Sequence, residues 1–293
     1  MHAPDLDTSL LGRWTDEHVL VVDAARARAY AAATNDADPR YEAGTLAPPL
    51  FACVPAVGLI APAVAGLITD EERRMGLHVA HDLHLHRVLV PGMTLRVRAA
   101  SIGVQPRRLG AELVIKVETR SDGAVVNEQY VTLFSRRRLR EAVGTPAPDH
   151  RLPAEAREAA RAAGRMVHVE QTLDPDQTIR YAEASGDHNP IHLDPAVARA
   201  LGLPGIIVHG MCTMAFAGRA VVEAACEGDP RRLARLAVRF ARPVFPGQTI
   251  TTHIWPAGQH DTRATWGFET LNPEGKAVLA DGLGEVVGAR EVT

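Results

Sequence analysis

The chain has 293 residues, of which 46% are hydrophobic and 4% aromatic, enough for one large domain or two of ordinary size with a core of Ala, Val and Leu. Its 32 basic and 35 acidic residues leave a formal net charge of −3. That balance lacks the basic excess of a nucleic-acid or membrane-surface binder, so neither partner is expected.

The first segment, MHAPDLDTSLLGRWTDE, is acidic and has no apolar centre, which argues against a secretory signal. The longest apolar run, 54–68, is too short and too interrupted by Gly and Pro to span a bilayer. Cys53, Cys212 and Cys226 sit in apolar surroundings and are odd in number. They read as buried free thiols in a reducing compartment, so a cytoplasmic protein is expected.

The chain repeats itself once. YAAATNDADPRY (30–41) lies against YAEASGDHNPIH (181–192), matching Tyr30 to Tyr181, Asp36 to Asp187 and Pro39 to Pro190. HRVLVPGMTLRVRA (86–99) lies against ARPVFPGQTITTHI (241–254), with Pro-Gly pairs at 91–92 and 246–247. Two elements in the same order at nearly the same offset predict two copies of one domain type. The boundaries are 1–140 and 165–293, joined by a linker at 141–164. The charged, Ala- and Pro-rich stretch 136–165 around that linker predicts one short surface helix.

In the first copy a buried helix is predicted over 54–68, followed by strands near 78–87, 93–102, 109–119 and 124–135. HDLHLH (81–86) falls on the first of these strands. His84 and His86 share a face there, His81 points the other way, and Asp82 is the only carboxylate on the His84 face. With no Cys nearby this reads as a strand-surface cluster rather than a metal site. In the second copy RMVHVEQ alternates like a strand. Asp174, Pro175 and Gln177 then form a helix start of the capping-box kind. DPAVARALG is a short helix with an Asp-Pro start and a Gly stop. The stretch 211–226 is apolar nearly all round, as a buried helix is. Strands follow at 233–242, 248–256, 262–271 and 276–288. A buried helix followed by an antiparallel meander, twice, is an α+β pattern in which each sheet wraps its helix. The Arg groups at 136–138 and 231–232 read as solvated charge rather than as ligands for phosphate.

The candidate chemistry lies in SGDHNPIHLDP (185–195). A carboxylate and an imidazole close together can share one water, one taking a proton from it while the other hands a proton to the substrate. Asp187 and His192 are five residues apart, with Gly186 just before them and Pro190 between them, on an irregular turn where both side chains can converge. Asn189 can orient the His or hold the substrate, and Gly186 allows unusual backbone angles. The same letters also spell an ordinary Asx turn. Further on, VHGM (208–211) stands where the buried helix begins. Helix N-termini present free N–H groups and partial positive charge. Gly210 therefore offers either an oxyanion donor suited to a thioester enolate or a tight-packing residue.

YAEASGDHNPIH followed by HGM resembles the hydratase-2 signature of the MaoC-like enoyl-CoA hydratases and dehydratases, with Gly186, Asp187, Asn189, Pro190 and His192 at the signature's spacing. The repeat extends the resemblance to nearly the whole chain as a double hot-dog. It implies reversible (R)-specific hydration of a trans-2-enoyl-CoA to the (R)-3-hydroxyacyl-CoA. In that carry-over Asp187 and His192 activate water, Asn189 supports them, and the Gly210 amide holds the thioester oxygen. Tyr181, Ser185, Gly186, His209 and Met211 are the implied substrate contacts, His209 being read as a hydrogen bonder ahead of the helix rather than a catalyst. No metal or redox cofactor is implied, since CoA arrives with the acyl-CoA substrate. A homodimer with one working site per chain is expected. Related readings are a dehydratase of carrier-protein thioesters, a hot-dog thioesterase, and a non-catalytic acyl-CoA-binding protein. The first copy keeps Asp36, but Asp38 stands for Asn189, Tyr41 for His192 and Asn35 for Gly186, and HGM has no counterpart. That half is expected to be non-catalytic, with 47–54 either a wall of the acyl tunnel, as the resemblance implies, or plain scaffold.

Overall fold

Strand alternation accounts for most of the architecture. In the strand beginning at Thr94, Leu95, Val97 and Ala99 are fully buried, while Arg96 and Arg98 between them pair with Glu17 and Glu118 on the other face. A computed structural model of the chain describes residues 7–69, 72, 77–136, 139–260 and 262–288. Its strands are β1 His18–Val21, β2 Leu77–Leu85, β3 Thr94–Arg107, β4 Gly110–Ser121, β5 Ala124–Ser135, β6 Val143–Gly144, β7 Val167–Thr172, β8 Leu233–Phe240, β9 Thr249–His260, β10 Arg263–Leu271 and β11 Ala277–Val286. The helices are α1 Ala24–Ala33, α2 Pro39–Glu42, α3 Ile60–Ala63, α4 Ala154–Ala162, α5 Gln177–Ser185, α6 Pro195–Ala200 and α7 Gly210–Ala225.

One sheet runs through both halves in the order β1-β3-β4-β5-β2-β8-β11-β10-β9-β7, with β6 hung on β3. The second five strands repeat the first five in reverse, so an approximate twofold passes between β2 and β8. These two strands pair antiparallel from Ala80↔Arg239 to His84↔Arg235. The repeated tyrosines meet near the same axis, with the rings of Tyr30 and Tyr181 5.7 Å apart. The fold is the expected double hot-dog. No helix among the described residues is long and apolar enough to cross a membrane.

The two central helices differ. α7 is the long apolar helix expected, with Cys212, Met214, Phe216, Ala217, Ala220 and Val221 all fully buried. Burying each of the larger ones contributes about 1.5–3 kcal/mol. Gly218 lets the first half approach, because a Cβ there would lie 2.9 Å from Leu50 Cδ2. The helix predicted over 54–68 is a correction. Pro49–Leu59 is a 3₁₀ stretch and only Ile60–Ala63 is α-helical. Pro49, Pro55 and Pro62 lack the N–H that an α-helix needs and crowd the preceding turn. The segment is still core, with Leu50, Phe51, Ala52 and Val54 buried.

The strand-surface reading of HDLHLH also needs correcting. His81 and Asp82 are 3% and 2% exposed. His81 faces inward, its Nε2 3.5 Å from Cys53 Sγ. Asp82 faces the seam, where Arg235 of β8 clasps it with two bonds of 2.9 and 2.7 Å and His84 approaches to 3.1 Å. Arg235 also reaches Glu285, which binds Arg263. The helix start at Asp174 is shifted as well. α5 begins at Gln177, but the Gln177 side chain still accepts from the Asp174 N–H at 2.9 Å. The stretch 136–165 does more than link. Gly144 and Val143 pair with β3, and α4 docks on the second half through Arg157, which pairs with Glu269 and lies over Trp255. Arg231 and Arg232 are held in surface pairs with Asp229 and Glu227. Of the Arg group at 136–138, residues 137 and 138 lie outside the described residues.

Burial by itself would raise the Asp82 carboxyl, but the hydrogen bonds from His84 and Arg235 outweigh it and hold it below its ordinary value. The seam therefore contributes stability that is present above the ordinary carboxyl range and is lost as pH falls through the lower folded value. Asp82→Ala leaves Arg235 buried without its partner, so we expect a loss of about 3–5 kcal/mol in urea unfolding at neutral pH. Unchanged stability would show that the pair does not hold the seam.

Candidate active site

The site is built where α5 ends. Gly186 caps that helix in the left-handed conformation, φ 81°, with its N–H on the Ala182 carbonyl at 2.8 Å. Glycine adopts that conformation without the strain a Cβ brings. The turn beyond it is held by its own side chains. The Asp187 N–H donates to Ser185 Oγ at 3.1 Å, and the Asn189 N–H to Asp187 Oδ1 at 3.2 Å. The Ile191 N–H donates to Asn189 Oδ1 at 3.3 Å, capping the 3₁₀ turn Pro190–His192. Asn189 thus faces solvent and shapes the turn that carries His192.

His192 is half-buried, and its Nδ1 lies 2.8 Å from the Ile207 carbonyl. A carbonyl only accepts, so in the neutral ring Nδ1 carries the proton and Nε2 the lone pair. His209 is 1% exposed, with Nε2 2.9 Å from the backbone carbonyl of Asp187. The two rings stack, centroids 3.8 Å apart and 29° between planes. Ligand atoms of Asp187, His192 and His209 all lie within 4.8 Å of one another, a donor set that could also hold a metal ion. Burial lowers the His192 imidazole, and the Ile207 carbonyl and Asp187 offset it only in part. Burial, reinforced by His192, takes His209 down to about 4. Both rings are neutral near pH 7.

Gly210 opens α7 directly after His209, and the first N–H of a helix has no partner within it. The Phe240 ring lies close against this glycine, its Cε1 3.1 Å from where a Cβ would stand. Tyr181 and Ser185 are buried, Tyr181 between Tyr30 and the His209 ring at 4.9 Å. Met211 is partly buried against the core. The turn and the helix start, 18 residues apart in sequence from His192 to Gly210, are therefore brought together as expected.

The sequence did not single out His78. It lies on β2 of the first half, its ring 4.7 Å from Phe240 and 5.4 Å from His81. Its Nε2 is closed off from solvent and has no hydrogen-bond partner among the described residues. Burial takes it down to about 4, against the opposing pull of the Asp187 carboxylate. The signal was present as an extra histidine three residues before HDLHLH. Reading it needed the irregularity between His78 and Ala80, which changes the alternation so that both His78 and His81 face inward.

In the first half Asn35 occupies the position of Gly186 and is also left-handed, φ 52°. Burial pushes the Asp36 carboxyl up to about 6 despite the nearby Arg219 of α7. Tyr41, standing for His192, is 2% exposed and packs with Ala31 and Leu46.

The fold is a double hot-dog whose Asp-x-Asn-Pro-x-His turn lies beside a glycine-started central helix, and comparison with known proteins places it in a family. Residues 158–276 match the MaoC like domain. The chain is 31% identical over 193 residues to the Arabidopsis thaliana protein "Enoyl-CoA hydratase 2, peroxisomal", covering 62% of this chain but less than two thirds, 60%, of that one. It is 32% identical over 219 residues to "3-hydroxyacyl-thioester dehydratase Y" of Mycobacterium tuberculosis, covering 72% of each. In fold it is similar to a MaoC-like dehydratase from Phytophthora capsici, with a TM-score of 0.82 and 22% identity over 97% of this chain and 98% of that one. The chain belongs to the MaoC-like dehydratase family.

His78, His81 and His209 are lowered to about 4, 3 and 4 by burial, from the ordinary 6.5. The unfolded chain takes up these protons first, so stability should fall as pH drops from 6.5 towards 4, by about 1.4 kcal/mol per site for each unit of separation. Denaturant unfolding at a series of pH values checks this. A flat profile across that window would mean that the three rings are not buried neutral.

Proposed function

We propose that the protein catalyses the reversible hydration of trans-2-enoyl-CoA to (R)-3-hydroxyacyl-CoA, with Asp187 and His192 as the pair that handles the water. The observation that carries this is the tethering of His192 Nδ1 to the Ile207 carbonyl, which leaves the Nε2 lone pair for a water, in a cluster where ligand atoms of His192 and Asp187 lie within 4.8 Å. Water bound to this pair loses a proton as its oxygen bonds to C3, and C2 gains a proton from the pair. Between these events the thioester oxygen carries the enolate charge, and the Gly210 N–H at the start of α7 is the donor for it. The reverse sequence eliminates water, the direction named for the mycobacterial relative. Addition of water changes no oxidation state, so the reaction calls for no redox cofactor and no group beyond the CoA of the substrate.

The acyl chain is proposed to run towards the buried segment 47–54, whose Leu50 and Phe51 pack against Gly218 and Tyr30. The first half has no imidazole in its turn and is proposed to be non-catalytic. The three buried free cysteines suit a reducing, cytoplasmic compartment. Among the described residues the sheet ends in β1 and β7, and β1 exposes Val19 and Val21, which supports edge-to-edge pairing into a homodimer.

Loss of the conjugated-thioester absorbance of trans-2-enoyl-CoAs follows the reaction, and (R)- and (S)-specific 3-hydroxyacyl-CoA dehydrogenases read the product. Asp187→Asn and His192→Gln should each lower kcat by about 10²–10⁴. Absence of turnover on every chain length, with folded protein, would overturn the reading. Carrier-protein thioesters would then be the next substrates to try.

A further inference from the structure

His209 performs no step in the proposed chemistry, yet its contacts end on the groups that do. Its Nε2–H donates to the Asp187 carbonyl at 2.9 Å, and one face of its ring covers His192 at 3.8 Å. Tyr181 lies against it at 4.9 Å. Its own carbonyl takes the Thr213 N–H at 3.0 Å and the Thr213 hydroxyl at 3.3 Å, which fastens it to the first turn of α7. The next residue is Gly210.

We propose that His209 is a positioning residue that sets Asp187 and His192 relative to each other and ties both to the Gly210 amide. Three separate stretches must otherwise keep register: the turn 186–192, the extended residues 207–208 and the start of α7. Among the described residues the His192 ring makes one hydrogen bond, to the Ile207 carbonyl, and a single bond leaves a ring free to rock about it. Stacking on a buried neutral ring removes that freedom. The Asp187 backbone likewise has only Ser185 Oγ on its N–H, and His209 fixes the carbonyl on its other side. Misplacing reacting groups by 1 Å can cost about a hundredfold in rate, so such a clamp acts on kcat. Its neutral state matters too, because burial and the neighbouring His192 both oppose a charge on it.

The kinetic part of this inference rests on the hydratase reading, but the geometric part has its own readout. His209→Phe keeps ring and volume and loses the N–H donor, whereas His209→Gln keeps a donor and loses the ring face. We expect kcat for enoyl-CoA hydration to fall about 10–100-fold in each, with KM within about threefold. We also expect the His192 titration, followed by NMR of its ring, to move up towards 6.5 in His209→Gln, where the covering face is gone, and to stay put in His209→Phe. Folded variants with wild-type kcat and an unmoved His192 titration in both would overturn the proposal. A rise in KM at constant kcat would also overturn it, making His209 a substrate contact. If the wild type hydrates no enoyl-CoA, the functional reading fails, while the His192 titration still decides whether His209 positions it.

Discussion

Five residues of β2 lie antiparallel to five of β8, and the two-pronged bond from Arg235 to Asp82 crosses that seam. Everything on either side takes its place from this pairing. Strand side chains alternate, so a slip by one residue would turn every inward group of β2 outward. Such a slip would carry His81 away from Cys53 and His78 away from Phe240. A slip by two residues would keep the faces, and hydrophobic pairing alone does less to forbid that one. A buried carboxylate forbids it strongly, because only one register gives Asp82 its guanidinium. Glu285 and Arg263 extend the same network to β11 and β10, and through it the second half's sheet is tied to the seam.

The seam explains how one half came to hold the candidate chemistry while the other became its support. In a symmetric pair each central helix would cover its own turn. Here α7 is long and serves both. It opens at Gly210 beside the Asp187–His192 turn, and one face of it packs on Leu50 through Gly218. Its Arg219 reaches the backbone carbonyl of Asn35 in the degenerate turn. That turn is thereby closed over: Tyr41 is core, Asp38 is spent on Arg40, and Arg40 bridges to Asp229 in the other half. The corresponding helix in the first half is free to be a proline-broken 3₁₀ segment because it no longer has to present a helix start. What it supplies is bulk, with Phe51 packed edge-on to Tyr30.

Much of this was legible in the sequence. Strand positions followed from alternation, the duplication from Tyr30 and Tyr181 and the Pro-Gly pairs, and the turn from five residues at fixed spacing. These are local signals, set by a residue and its near neighbours. The errors came where burial is decided by a distant partner. Residues 54–68 read as a helix from apolarity alone, although Pro55 and Pro62 already opposed it. HDLHLH read as surface because nothing within the strand shows that β8 will lie beside it, and Asp82 becomes a core residue only when Arg235 arrives from 153 positions away. His209 was legible as a hydrogen bonder, but not its stacking on His192, which depends on how the turn folds back.

The two imidazoles illustrate why a neutral, tethered histidine suits the reversible hydration proposed for this site. A base for water must be unprotonated, and burial ensures that for His192 near pH 7. An acid for the reverse step must hold its proton at the same atom and in the same direction. Tethering Nδ1 to a backbone carbonyl serves both needs, because that bond is kept whether Nε2 is empty or protonated. His209 repeats the device with the opposite nitrogen, Nε2 on the Asp187 carbonyl. Its Nδ1 meets no hydrogen-bond partner among the described residues, and burial keeps the ring a neutral plate against His192. Burial lowers both rings while the carbonyl each one faces pulls the other way, and at His209 the neighbouring His192 adds to the burial and holds that ring neutral.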